Sequence, residues 1–229
     1  DYAFEHDPTL NAFTTERKEL FGRDDAPAAG KYKIIIAGNS LGGNIASSFA
    51  AAHPNRVEKL VMVDASGYGI PDVNKGTPHL RGAQPIMPLG FKLAQMAWLE
   101  PVLTRVLPWK VMVDSVRFVY GDPAKVTDAL VQRYSDLTLR QGNRGAVGKR
   151  FAQALLGAKF DKTVIAEHKI PTLMIYGDRD VVTPMGIAYL YQEDIPAAQI
   201  AVVEGAGHVP QEEVPEETFA VVKEFLMVH

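Results

Sequence analysis

The run Lys33-Ile34-Ile35-Ile36-Ala37-Gly38-Asn39-Ser40-Leu41-Gly42-Gly43 leaves this chain few folds to choose from. Its isoleucines end in small residues, and an apolar, alanine-rich segment follows at once. That order predicts a buried strand, a very tight turn and a helix. Gly38-Asn39-Ser40-Leu41-Gly42 fits the pattern G-x-S-x-G, in which the turn holds a serine in strained backbone geometry. A Cβ at Gly38 or Gly42 is expected to collide with the neighbouring strand or helix. Ser40 then stands at the carboxyl end of a strand and the amino end of a helix, where the amides and dipole favour a developing negative charge. The alternative for the same residues is an ordinary strand-to-helix turn with a serine N-cap.

Along the chain, residues 1–31 are polar, with one expected helix from Pro8 to Phe21. Strand one is expected at Tyr32–Ala37 and the helix after the turn at Leu41–Ala52, with Ile45, Phe49 and Ala52 on one face and Gly42, Gly43, Ala46 and Ala50 permitting close packing on a sheet. Leu60–Val63 is a second apolar strand, ending at Asp64. Apolar runs linked by helices mean parallel strands buried on both faces. From Ile70 to His168 the alternation stops. Helices are expected there at Leu89–Leu99, Pro101–Leu107, Thr127–Leu139 and Asn143–Ala158, with Thr127 as an N-cap. Met87, Phe91, Met96, Trp98, Trp109 and Met112 either form this insert's own small core or line an acyl-sized pocket. Strands three and four are expected at Thr172–Tyr176 and Gln199–Val203, and helices at Pro184–Gln192 and Pro215–Val228, the last with Phe219, Val222 and Phe225 along one side.

A serine hydroxyl that acts as a nucleophile needs a base, and the base needs an orienting acid. In a parallel sheet, active residues gather in the loops at the carboxyl ends of the strands. After strand three come Asp178 and Asp180, which compete for the acid role, one facing the base and the other capping the turn. After strand four comes Gly205-Ala206-Gly207-His208, and of the 6 histidines His208 alone follows a strand end. Asp64, after strand two, is an outside candidate for the acid and otherwise a turn-forming residue. Asn39, Trp98 and Trp109 are candidate substrate contacts.

Composition narrows the function from another side. A formal charge of −3, with no cluster of Lys and Arg among aromatics, gives no footprint for nucleic acid. No apolar run approaches the length of a membrane span. Zero cysteines exclude disulfides, thiolate catalysis and cysteine metal sites, while the compartment stays open. No group of His, Asp and Glu has metal-ligand spacing, so we expect no metal and no cofactor, and a small-molecule substrate as the partner.

Three blocks, Gly38-Asn39-Ser40-Leu41-Gly42-Gly43, Ile175-Tyr176-Gly177-Asp178-Arg179-Asp180-Val181-Val182-Thr183-Pro184 and Gly205-Ala206-Gly207-His208-Val209-Pro210-Gln211-Glu212-Glu213, give the chain a resemblance to the α/β-hydrolase superfamily. It resembles the members with a helical cap inserted after the strand that follows the turn helix. The resemblance implies an α/β fold, a mostly parallel sheet flanked by helices, with residues 1–69 and 169–229 as core and 70–168 as cap. It implies Ser40 as nucleophile, His208 as base, Asp180 as acid and the Leu41 amide as one oxyanion donor. It points to a serine esterase or lipase; haloalkane dehalogenases and epoxide hydrolases look similar but carry an aspartate at the nucleophile. C–C bond hydrolysis of ring-cleavage dienoates uses the same triad, with Arg144 or Arg150 as candidate grips on a carboxylate. The non-enzymatic alternative is a fold relative that binds a small apolar ligand. The family has strands before the turn strand and a second oxyanion donor in a loop after one of them, and nothing before Lys31 supplies either. The N-terminal strands of the family are therefore missing from the sequence shown, which also lacks an initiator Met, and we expect a further segment to cover the edge at Ile34-Ile35-Ile36. Without the second donor the rate falls by about 10²–10³.

Overall fold

A computed structural model describes residues 33–68, 108–140, 143 and 160–227. Those from Ile34 onward belong to one compact unit. Its centre is a four-stranded sheet, β1 (Ile34–Asn39), β2 (Val57–Val63), β3 (Thr172–Gly177) and β4 (Gln199–Val203), in the spatial order β1-β2-β3-β4. Every neighbouring pair is parallel, as the apolar runs predict. The register pairs Asn39 with Val63, Val63 with Ile175, and Gly177 with Val203, so the carboxyl ends of the strands form one rim. The helices are α1 (Leu41–Ala52), α2 (Trp109–Val119), α3 (Asp128–Leu139), α4 (Thr163–Glu167), α5 (Gly186–Asp194), the single turn α6 (Pro210–Glu213) and α7 (Pro215–Met227).

Alternate residues of the two inner strands feed two cores. On one face Leu60, Met62, Met174 and Tyr176 meet Ala46 and Ala50 of α1 and Ile187, Ala188 and Tyr191 of α5. On the other, Val61, Val63, Leu173, Ile175 and Val203 meet Phe225 of α7. Each such Leu, Ile, Val or Met contributes about 1.5–3 kcal/mol when fully buried, which is why β2 and β3 read as unbroken apolar runs. β1 differs. Among the described residues it is an edge strand, and Ile34 and Ile35 are 42% and 48% exposed.

Helix α1 packs its small face on the sheet, as expected, with Gly43, Ala46, Ser47 and Ala50 buried, while Ile45 points outward. Small residues win because they let the helix axis approach the strands, which a branched side chain would hold off. On α7, Phe225 is buried but Phe219 is exposed; Thr218 takes the inward position in the first turns. Gly42 has open space where its Cβ would stand, whereas one at Gly38 would lie 2.2 Å from the Gly42 carbonyl and one at Gly43 would lie 2.6 Å from Ala65 Cβ. The crowded glycines are thus Gly38 and Gly43.

In the inserted stretch, α3 starts as expected, with Thr127 Oγ1 accepting from the Leu130 amide at 3.2 Å. Helix α2 was not expected. It buries Met112 and Val116 in a small cluster with Tyr120, Val131 and Val209. The helices expected at Pro8–Phe21, Leu89–Leu99 and Pro101–Leu107 lie outside the described residues, as does all but Asn143 of the one expected at Asn143–Ala158.

Candidate active site

The four loops on the carboxyl rim bring Ser40, Asp64, Asp178 to Asp180, and His208 to one end of the sheet. Ser40 has φ 53°, in the left-handed region that a non-glycine residue rarely adopts. The turn is pinned from three directions. The Ser40 amide donates to the Val63 carbonyl at 2.8 Å, and the Ser40 carbonyl accepts from the amides of Asn44 at 3.2 Å and Ser66 at 3.1 Å. Strain of this kind persists only where the surroundings over-determine it. Leu41 opens α1, so its amide is one of the helix donors without an intrahelical acceptor.

His208 Nδ1 lies 2.8 Å from Asp180 Oδ2, and both side chains are nearly inaccessible. A carboxylate at Nδ1 requires the hydrogen there, which leaves the lone pair on Nε2. Asp180 is held as firmly as the ring. Its Oδ1 accepts from the amides of Val182 at 2.7 Å and Thr183 at 3.0 Å. The Thr183 hydroxyl lies 2.6 Å from Asp180 Oδ2, 2.9 Å from the Asp64 carbonyl oxygen and 3.2 Å from His208 Nδ1. Burial alone would raise the Asp180 pKa, but the bond and charge of His208 and the two Thr183 donors outweigh it and hold the carboxyl below its ordinary value. Asp178 is used differently: its Oδ1 accepts from the Gly205 amide at 2.6 Å, which ties the loop after β3 to the loop after β4.

The His208 backbone is fastened on both sides. Its amide donates to the Val119 carbonyl at 2.7 Å, and its carbonyl accepts from Asn39 Nδ2 at 3.0 Å. Asn39 Nδ2 also reaches the Val63 carbonyl at 3.2 Å, so this side chain, a candidate for substrate contact in the sequence, ties the serine turn to the histidine loop. Among the described residues no hydrogen bond joins Ser40 Oγ to His208 Nε2; such contacts are often long before substrate arrives. Trp109 is 45% exposed on the first turn of α2. Trp98, Arg144 and Arg150 lie outside the described residues. His53 and His168 are exposed, as expected.

Two contributors carry no signal in sequence. Thr183 acts through a hydroxyl whose three neighbours come from three loops. Glu213 is buried in α6, with Oε1 accepting from the Gly207 amide and Oε2 from the Gly121 amide, each at 2.7 Å. Gly121 and Gly207 make that approach possible, since a Cβ on Gly207 would stand 2.4 Å from the Gly121 nitrogen. Asp64, Asp180 and His208 each offer an atom within 4.8 Å of the others, a spacing that could hold a cation. A cation there would have to part the bond between Asp180 and His208. A cleft of about 340 Å³ between Tyr120, Lys125, Thr127, Leu130, Arg133 and Glu212 is lined by none of them.

A serine in a strained turn on one parallel strand, with a buried Asp–His pair in the loops after two others, defines a recurrent architecture. A family profile described as alpha/beta hydrolase fold matches residues 28–215, and the chain belongs to that family. It is 30% identical over 227 residues to a 2-hydroxy-6-oxononadienedioate/2-hydroxy-6-oxononatrienedioate hydrolase of Cupriavidus pinatubonensis, covering 96% of this chain and 71% of that one. It is 27% identical over 196 residues to Lipase 1 of Psychrobacter immobilis, covering 84% of this chain but only 55% of the lipase, so it spans about half the length of that relative. Among solved structures, the meta-cleavage product hydrolase of Pseudomonas fluorescens IP01 superposes with a TM-score of 0.63 at 24% identity, over 85% of this chain and 64% of the other. No described helix is long and apolar enough to cross a membrane.

Proposed function

We propose that this chain carries the catalytic site of a serine hydrolase that cleaves carboxylic esters of small to medium size. The observation that carries the reading is the buried 2.8 Å contact between His208 and Asp180, on the same rim as the strained Ser40. In this reading Ser40 Oγ attacks the ester carbonyl while His208 Nε2 takes its proton. Asp180 holds the imidazole in the required tautomer and stabilises the imidazolium that forms. The Leu41 amide faces the oxyanion of the tetrahedral intermediate. His208 then returns the proton to the leaving alcohol, and water cleaves the acyl-enzyme by the same route in reverse.

The test is hydrolysis of a short-chain nitrophenyl ester by this chain and by its Ser40→Ala variant. Turnover that falls by about 10³ or more in the variant, with unchanged circular dichroism, supports the nucleophile. Equal turnover in both proteins would refute it. Turnover in neither, with an apolar ligand bound alike by both, would favour a non-catalytic relative.

A second reading, C–C bond hydrolysis of a ring-cleavage dienoate, is favoured by the relative from Cupriavidus pinatubonensis. It uses the same three side chains. A ratio of kcat/KM for a dienoate over a simple ester above unity would select it.

A further inference from the structure

Asp64 follows β2 and is a buried carboxyl on the rim to which the mechanism above gives no task. It is 0% exposed and has φ 42°, a conformation that Asp and Asn tolerate better than other side chains. Its backbone is committed to the sheet, the amide donating to the Ile175 carbonyl at 2.8 Å. Of its two carboxyl oxygens, Oδ1 accepts from the Gly177 amide at 3.0 Å, and Oδ2 is buried without a hydrogen-bond partner among the described residues. An orphaned buried carboxylate oxygen is costly, and this carboxyl lies beside a second one, that of Asp180, with an oxygen of each within 4.8 Å of the other.

Two carboxylates this close, both screened from water, do not both ionise. The count of donors decides which one keeps the charge. Asp180 receives the Val182 and Thr183 amides, the Thr183 hydroxyl and the His208 ring. Asp64 receives the Gly177 amide alone. A proton on Asp64 removes the repulsion and gives the carboxyl a hydrogen to donate toward Asp180.

We propose that Asp64 is a positioning residue of this site: its buried carboxyl carries a proton at neutral pH and donates it in a hydrogen bond to the Asp180 carboxylate. That bond withdraws charge from the oxygens that face His208, and so sets how strongly Asp180 raises the basicity of the imidazole. Its consequence for catalysis rests on the triad reading above, whereas the site of the proton does not. Burial, then the negative charge of Asp180, drive the Asp64 pKa up to about 10, against the Gly177 amide, which favours the charged form. The other ionisable groups that face it are His208 from the loop after β4, Glu213 from α6 and the Tyr176 phenol from β3.

The experiment is carbon-13 NMR of the chain labelled at the aspartate carboxyl carbons, with the Asp64 signal identified by its loss in Asp64→Asn. The expected signal keeps the shift of a protonated carboxyl from about pH 5 to about pH 8. A carboxylate shift over that range overturns the proposal, whatever the turnover of the protein. Asparagine keeps a carbonyl for the Gly177 amide and an N–H for Asp180. The His208 ring pKa, read by proton NMR, should therefore move by less than about 0.3 unit in Asp64→Asn. A fall of about one unit would mean that a real negative charge had been removed, and would refute the assignment. In Asp64→Ala, which has no donor, the ring pKa and the acid limb of kcat/KM should both rise. If that variant does not fold, the carboxyl signal and the Asn variant still decide.

Discussion

Asp178 and Asp180 differ by two positions and by almost everything physical. Asp178 is exposed and serves one backbone amide, whereas Asp180 is buried and serves two amides, a hydroxyl and the imidazole. Replacing the Asp180 carboxylate by an amide offers N–H to a ring that also offers N–H, which forces the wrong tautomer or breaks the contact. Asp180→Asn should therefore lower kcat by about 10²–10⁴ with little change in KM. Asp178→Asn, which keeps an oxygen for the Gly205 amide, should stay within about threefold of the parent. Side-by-side kinetics on one ester check this, and equal losses would mean that the acid role is not Asp180's alone. Position at a strand end carried the choice as far as these two residues, and the resemblance to the α/β-hydrolases carried it on to Asp180. Sequence carried nothing about Thr183, and marked Asp64 only as an outside candidate for the acid, because their partners come from other loops and become neighbours only when the strand ends align. Asn39 shows the same limit: a polar residue inside the turn looked available to substrate, yet its amide ties two loops together.

At the scale of elements, the strongest local signals were those with one possible partner. The apolar runs of β2 and β3 had to be buried on both faces, and the helix after the turn had to lie on the sheet. The small face of α1 was placed on the sheet correctly, and what the pattern did not settle was how the glycines share the crowding. Gly38 and Gly43 sit where another atom already stands, and Gly42 does not. Gly42→Ala should then raise stability by about 0.5–1 kcal/mol, through the lower backbone entropy of alanine in the unfolded chain. Gly43→Ala should lower it by about 1–3 kcal/mol, because its Cβ would meet that of Ala65 at 2.6 Å and one backbone must move. Urea midpoints of the two variants give opposite signs if the packing is as described, and a loss in both would contradict the open space at Gly42. Helix α2 escaped the sequence for a related reason. Val111, Val113, Val116 and Val119 weaken its intrinsic helix preference, and only docking of Met112 and Val116 against Val209 recovers it.

Over the whole molecule, the histidine loop is where the inserted helices and the sheet meet. Glu213 bridges Gly207 and Gly121, and its neighbour Glu212 accepts from the Tyr120 hydroxyl at 3.0 Å and from Arg133 at 2.7 Å. The position of His208 thus depends on the fold as a unit, and so does the proton balance beneath it. Asp180 has its pKa depressed on folding, so its contribution to stability is present above the ordinary carboxylate range and is lost as pH falls through its folded value. Asp64 has the opposite sign. Its folded pKa of about 10 lies above its ordinary value of 3.8, so its contribution is complete below the lower value and is lost as pH rises between the two. Between those limits the unfolded chain gives up a proton that the folded chain keeps, which costs up to about 1.4 kcal/mol for each pH unit. Asp64→Asn abolishes that slope while filling the same space. Urea unfolding of the parent and of Asp64→Asn at several pH values from about 5 to about 8 should show the variant gaining on the parent as pH rises. A gap that stays constant would mean that Asp64 enters the folded state already ionised, with both carboxylates charged beside His208.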